Sequence, residues 1–362
     1  MNTINEENIS ITHYGELISK ELKVFYNPVM KLNRDMSLLL IKSYFDKPIT
    51  FCDPMIASGI REMRFLKTIP EMFESMTVGD ISKDALEDAK KNFKNNSISE
   101  EKITFLHQNA INTIASQFYH FIEVDPFGSP VPFLDIALQR MKHNGILSVT
   151  ATDTAALCGT YPKKTLRRYG IHVKFLHCYE ELGLRNLISY VQKEAAKHDK
   201  QLKVMLSYSS DHYYKVFFKV LDGAQKALED VKKLKYYTCD PKTQHIEFSE
   251  FRLSKEYLGP IYTGELCDKG LVEKMIDNLN LLEDKKKIEK LLTLISEEID
   301  VFGYFNTHKL QKSFKIGSNL KFSEIMEKLE EKGFEVSKPH NNRLGIKSNC
   351  SYEDIVEILK EN

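Results

Sequence analysis

The chain is 362 residues long, 42% hydrophobic and 28% charged, which suits a globular protein of two ordinary domains or one with a large appendage. No apolar run approaches the ~20 residues needed to span a bilayer, and the polar, acidic residues 1–10 do not read as a secretory leader. A cytoplasmic protein without membrane association is expected. Lys plus Arg equals Asp plus Glu at 51 each; a zero sum argues mildly against a nucleic-acid partner without excluding one, because local patches set the contact potential.

In chain order, Ile49–Asp53 reads as a strand and Ile60–Lys67 as a helix mixing charged and apolar residues. Met76–Asp80 is the next strand, and Ser82 then caps a helix reaching about Asn95. Strands follow at Ile103–Leu106, Phe118–Val124 and Gly145–Ala151. Alternating strands and helices at this spacing predict a parallel, doubly wound Rossmann-like α/β sheet. Leu202–Ser209 and Tyr213–Leu221, either side of Ser210-Asp211-His212, predict an antiparallel pair that closes it. After Lys235 the texture changes: 236–264 is turn-rich, and Leu271–Ile299 is helical and charged. The tail reads as helix 323–332, strand-like 334–337 and 344–347, then helix Tyr352–Lys360 capped by Ser351. The boundary is placed at 228, giving an N-terminal arm and catalytic domain, 1–228, and a smaller α+β domain, 229–362.

Open α/β sheets bind ligands beyond the carboxyl ends of their strands, so the strand-end residues are the candidates. The first strand runs into Pro54-Met-Ile-Ala-Ser58-Gly59-Ile-Arg61, a small-residue turn that lets a ligand approach the backbone at Ser58, Gly59 and Arg61. With one glycine it is no G-x-G-x-x-G fingerprint, which counts against a nicotinamide enzyme. Asp80, next to Ile81, ends the second strand, where a carboxylate can accept both hydroxyls of a ribose; it could equally just start the next helix. Asn109-Ala110 follows the third strand and offers an acceptor for an adenine edge, although loop asparagines are common.

The fourth strand ends in Glu123-Val-Asp125-Pro126-Phe127-Gly128-Ser129-Pro130. Acid, proline and aromatic ring in succession resemble the [D/N/S]-P-P-[Y/F/W] signature of amino-methylating enzymes. The chemistry explains the residue types. An exocyclic amine on a base has its lone pair delocalised into the ring, and a carboxylate accepting its N–H draws the nitrogen toward attack. Asp125 supplies that acid, the Pro126 carbonyl a second acceptor, and Phe127 a ring on which an unstacked base can rest. The competing interpretation is an Asp-Pro turn that merely stops a strand. Lys163, Lys164, Arg167 and Arg168, beyond the fifth strand, are candidates for RNA phosphates, whereas Lys285-Lys286-Lys287 reads as a solvated helix face. The six cysteines are scattered, with no C-x-x-C pair, so no metal site is expected.

Together these segments resemble the archaeal-type tRNA (guanine-N2) dimethyltransferases acting at position 26. The resemblance rests on Phe25-Tyr-Asn-Pro28 with Asn33-Arg34-Asp35, Ala57–Phe65, Asp125–Pro130, Thr150–Asp153 with Leu157–Gly159, Asp211–Tyr214, and Gly259–Tyr262 with Gly264. They fall in order across both domains. The resemblance implies S-adenosylmethionine as methyl donor, tRNA as substrate, two methylations of one guanine N2, and a C-terminal domain that helps hold tRNA; it indicates no obligate protein partner. It implies cofactor contacts at Arg34, Arg64, Asp80 and, near adenine, Asn109 and Ala110, with Asp125, placed at the edge of the cofactor site, engaging the amine and Phe127 the guanine. Phe25 falls on the substrate side. Without the resemblance, Arg34 would read as a surface charge. Two departures stand out: the family often has an acid at Asn109, and only Cys239 and Cys267 lie where some relatives carry a four-cysteine zinc cluster. The acid-proline-ring triplet alone leaves open adenine N6 or cytosine N4 as the target, and a catalytically silent tRNA-binding protein is a further alternative.

Overall fold

The computed structural model describes residues 2–13, 26–240, 245–317 and 320–361. An N-terminal hairpin, β1 (Asn2–Glu6) and β2 (Ile9–His13), precedes α1 (Lys31–Tyr44). The wound unit follows as β3 (Ile49–Asp53), α2 (Ile60–Thr68), β4 (Phe73–Asp80), α3 (Lys83–Asn95), β5 (Ile103–His107), α4 (Ala110–Ala115) and β6 (Tyr119–Val124). It continues through α5 (Val131–Arg140), β7 (Met141–Ala151), α6 (Thr154–Leu157), α7 (Pro162–Tyr169), α8 (Tyr179–Ala196), β8 (Lys200–Ser210) and β9 (Tyr213–Asp222).

Seven strands form one sheet in the order β5-β4-β3-β6-β7-β9-β8. β3 to β7 run parallel, and β9 lies antiparallel between β7 and β8. All five residues of β3 are buried, as a central strand covered on both faces requires. Neighbouring positions feed opposite cores: Phe51 and Phe121 stack at 5.5 Å on one face, while Cys52 and Ile122 belong to the other. The Ser82 hydroxyl accepts the Ala85 N–H at 3.2 Å and starts α3 where the sequence places it.

Beyond β9 come α9 (Ala224–Lys233) and a small sheet of β10 (Lys235–Cys239), β11 (Ile246–Ser249) and β12 (Leu258–Ile261). The expected helical stretch 271–299 is two helices, α10 (Lys269–Asp277) and α11 (Lys286–Glu297), broken by a 3-10 turn at Leu279–Leu281. Their apolar residues Leu271, Val272, Met275, Ile288, Leu292 and Ile295 join the same core as α1. The tail holds β13 (Phe305–Asn306), α12 (Thr307–Phe314), α13 (Phe322–Glu331), β14 (Val336–Ser337), β15 (Gly345–Ser348) and α14 (Tyr352–Lys360), around a core of its own. Ser351 caps α14 in a capping box with Asp354. Among the described residues no helix is long and apolar enough to cross a membrane.

Candidate active site

Because β3 to β6 are parallel, Asp53, Asp80 and Asp125 emerge at one rim, on either side of the point where strand order reverses. The turn 54–59 and the second residue of α2, Arg61, connect them. Ala57 donates its N–H to Asp80 Oδ2 at 3.1 Å, and Arg61 Nη2 donates to Asp125 Oδ2 at 2.7 Å. Gly59 closes the turn at φ +73; a β-carbon there would stand 2.9 Å from the Phe93 ring, so both conformation and close approach require glycine. Asn92 fixes the turn by donating to the Ser58 carbonyl at 3.1 Å.

Asp80 is half-buried, with one hydrogen bond on each oxygen, Oδ1 accepting from the Ser82 N–H at 2.8 Å. Beside it Ile81 stands 76% exposed, a large apolar side chain at the mouth of the rim. Asn109 is exposed and its side-chain oxygen accepts the Asn112 N–H at 2.9 Å, capping α4; Ala110 is half-buried beside it.

Asp125 keeps 17% of its side chain exposed, and Phe127 is 53% exposed two residues on. Gly128, at φ +87, is tied to the end of β7: its N–H donates to the Thr152 hydroxyl at 2.6 Å, and the Thr152 N–H donates to its carbonyl at 2.8 Å. Ser129 meets the Tyr169 hydroxyl at 2.8 Å, and Tyr169 donates to Asp153 at 2.7 Å. Burial, then the Asp153 charge, push the Tyr169 phenol up, so it stays a donor. Arg168 is drawn into this brace by a 2.6 Å pair with Asp153. Lys163 and Arg167 are exposed and Lys164 half-buried on α7, beside the loop that this brace secures.

Beneath Asp125 lies a buried ion cluster. Arg61 Nη1 donates to Glu123 Oε2 at 3.2 Å, to Asn33 at 3.1 Å and to Ser37 at 3.3 Å, and its Nε lies 3.5 Å from Asp53. Lys215, fully buried on β9, pairs with Glu123 and donates to Thr150 at 3.0 Å. Burial alone would raise the Glu123 carboxyl, but Arg61 and Lys215 outweigh it and hold it low. Burial pushes Asp53 up to about 6 against the pull of Arg61, and pushes its neighbour Glu62 well up.

The two other arginines expected at the cofactor are buried under the N-terminal hairpin. Glu6 accepts from Arg34 Nε at 2.8 Å, from Arg64 Nη1 at 2.9 Å and from the Tyr26 hydroxyl at 2.9 Å, while Arg64 also pairs with Asp35. Arg34 is therefore no surface charge. Phe25 lies outside the described residues. Sequence reasoning missed Glu6 and Lys215; a charge inside the apolar strand 213–221 was the available signal for Lys215. Among the described residues no group of three or more His, Cys, Asp or Glu could hold a metal ion.

Counted from β3, the strand order reads 3-2-1-4-5-7-6, with only the seventh reversed. This sheet, rimmed by a strand-two acid and a strand-four acid-proline-ring loop, defines a Rossmann-like methyltransferase. The sequence matches the family described as N2,N2-dimethylguanosine tRNA methyltransferase over residues 1–360, and the chain belongs to that family. The tRNA (guanine(26)-N(2))-dimethyltransferase of Pyrococcus horikoshii is 37% identical over 358 residues, 93% of this chain and 92% of that protein. That of Methanococcus maripaludis is 35% identical over 354 residues, 95% of this chain and 94% of its own length. A solved structure of Trm1 from Pyrococcus horikoshii with S-adenosyl-L-methionine superposes with a TM-score of 0.91 at 34% identity, covering 99% of each chain.

Proposed function

We propose that this chain, a tRNA (guanine(26)-N2)-dimethyltransferase of the cytoplasm, performs its chemistry at Asp125, Pro126 and Phe127. The observation that carries the reading is Asp125 itself: a partly exposed carboxylate at the rim of the sheet, held through one oxygen by an arginine.

The donor set suits an adenosyl group. Asp80 has lone pairs beyond its two hydrogen bonds for a ribose diol, Ile81 offers an apolar face for adenine, and Ala110 flanks it without bulk. Ser58 and Gly59 shape the backbone turn beneath. Arg34 and Arg64 already serve Glu6 and Asp35, so a ligand carboxylate reaching them competes with those acids. Asn109 contributes through its backbone, since its side chain caps α4. When bound, S-adenosylmethionine supplies an electrophilic methyl on sulfur, which leaves as a neutral thioether.

The chain's own residues do the rest. Phe127 stacks on the extruded guanine, worth about 1–3 kcal/mol against the few kcal/mol that unstacking costs. Asp125 and the Pro126 carbonyl each accept one N–H of the amine, turning its lone pair toward the methyl. As the N–C bond forms, Asp125 takes the proton the nitrogen must lose and passes it to solvent on its exposed side. Lys163, Lys164 and Arg167 draw tRNA phosphates to this rim, and Arg168 braces the loop through Asp153. The chain divides near 228 in this reading, with 229–362 helping to hold tRNA.

The test is labelled S-adenosylmethionine with tRNA carrying G or A at position 26, followed by nucleoside analysis. Labelled N2,N2-dimethylguanosine from the G26 tRNA alone is expected; labelled adenine or cytosine, or no label, contradicts the reading. Asp80→Ala is expected to weaken S-adenosylmethionine at least about tenfold, as loss of a charge-assisted hydrogen-bond acceptor predicts. Unchanged affinity would remove the ribose assignment.

A further inference from the structure

We infer that Arg61 is a positioning residue for methyl transfer: caged by Glu123, itself pinned by Lys215, it fixes one oxygen of Asp125 so that the other faces the guanine amine. The inference rests on the reading of Asp125 as the amine-engaging acid and assigns Arg61 to that acid rather than to the cofactor.

All three guanidinium nitrogens of Arg61 face protein acceptors, from Asp53, Glu123, Asn33, Ser37 and Asp125. The shortest of these contacts, 2.7 Å, is to Asp125 Oδ2. Arg61 is buried, and the acids and hydroxyls around it come from α1, β3 and β6, so the fork cannot swing without leaving several partners at once. Lys215 is fully buried on β9, and among the described residues its polar partners are Glu123 and Thr150. Burying a lysine this deeply is costly unless its charge is matched. Here the match is the carboxylate that also orients Arg61.

The cluster holds two cations, Arg61 and Lys215, against the carboxylates Asp53, Glu123 and Asp125. The excess negative charge therefore has one outlet toward solvent, at Asp125, the only one of these groups with appreciable exposure. Arg61 reaches Asp125 through one hydrogen bond, from Nη2 to Oδ2, and its other nitrogens hold the planar guanidinium on Glu123, Asn33, Ser37 and Asp53, so the direction of that donor is set where a rotating ammonium's would not be. Aim is what this reaction needs: guanine N2 offers two N–H groups at the first methylation but one at the second. With a single hydrogen left, a misdirected carboxylate loses its hold altogether. The second methyl transfer is therefore the step more sensitive to Arg61.

The experiment compares the full chain with Arg61→Lys, Arg61→Gln and Asp125→Asn, using G26 tRNA and quenched time courses that resolve mono- and dimethylated guanosine. Calorimetry measures S-adenosylmethionine binding to each. Arg61→Lys keeps the buried charge and is the variant designed to stay folded. It is expected to lose about tenfold or more in kcat, as a small misplacement of a catalytic group does. Its cofactor affinity is expected to hold within about twofold, and monomethylguanosine to accumulate where the parent yields dimethylguanosine. Arg61→Gln is expected to fall further along the same line. Parental kcat and product ratio in Arg61→Lys would overturn the inference, as would a loss appearing only as weakened cofactor binding. If Asp125→Asn is inactive while Arg61→Lys matches the parent, this inference alone fails. If Asp125→Asn turns over normally, the reading of Asp125 fails and takes the inference with it.

Discussion

The cluster beneath Asp125 and the one beneath the C-terminal module are built from the same parts, yet only the first reaches solvent. In the second, Lys347 of β15 lies 3.1 Å from Glu181 of α8 and 2.7 Å from Glu298, which meets His340 at 2.6 Å; Arg185 pairs with Glu181 at 2.7 Å. Every one of these side chains is buried. The closed cluster binds the last module to α8. The open one ends in a carboxylate with a free oxygen. Matched burial of charge builds structure in both places, and what separates chemistry from docking is whether the last acid has anywhere to face.

That contrast can be broken at several points. The largest effect belongs to the closed cluster: Lys347→Met takes the shared cation from Glu181 and Glu298, leaving them Arg185 and His340, and a buried ion network broken from one side costs about 3–5 kcal/mol. Urea unfolding should show that loss, with kcat per folded molecule retained; a fall in kcat at unchanged stability would erase the distinction. Next is acid. Burial raises the Glu298 carboxyl, but the His340 and Lys347 charges outweigh it and hold it at about 2, below the ordinary 4.5. A depressed carboxylate stabilises fully above its unfolded value, so a contribution on the order of 3 kcal/mol is lost as pH falls from 4.5 toward 2. Glu298→Gln should flatten the pH dependence of stability across that window; an unchanged slope would contradict the assignment.

Smaller effects lie at the open rim. Phe127→Ala should weaken productive tRNA binding by about 1–3 kcal/mol through lost stacking and leave cofactor affinity alone; an effect on the cofactor instead would move Phe127 out of the base pocket. Arg167→Ala should lower the salt dependence of tRNA binding by about one unit of slope. An unaltered slope would leave α7 as scaffold only.

Much of the sheet is legible because parallel strands buried on both faces advertise themselves, and Ile49–Asp53 matches to the residue; among the helices Tyr352–Lys360 does so too, and Ser82 and Ser351 cap where expected. The N-terminal hairpin was not, since five-residue strands joined through Glu7, at φ +52, carry no Asn-Gly or Asp-Gly turn signal. Its acid Glu6 therefore went unseen, and with it the burial of Arg34 and Arg64. The strand-end candidates Asp80 and Asp125 do converge on one rim. The identity of their supports could not be read, because Lys215 and Glu123 lie 92 residues apart and Arg61 and Asp125 lie 64 apart. Local pattern marks a charge as out of place in an apolar strand; only the folded chain says which partner excuses it.

The central claim is that Asp125 acts on the amine and not on the donor. Single-turnover methyl transfer by Asp125→Ala, set beside its S-adenosylmethionine affinity, tests it most directly. A rate lowered by roughly 100-fold or more with affinity nearly intact is the expected result. A near-parental rate, or a loss confined to donor binding, would contradict it.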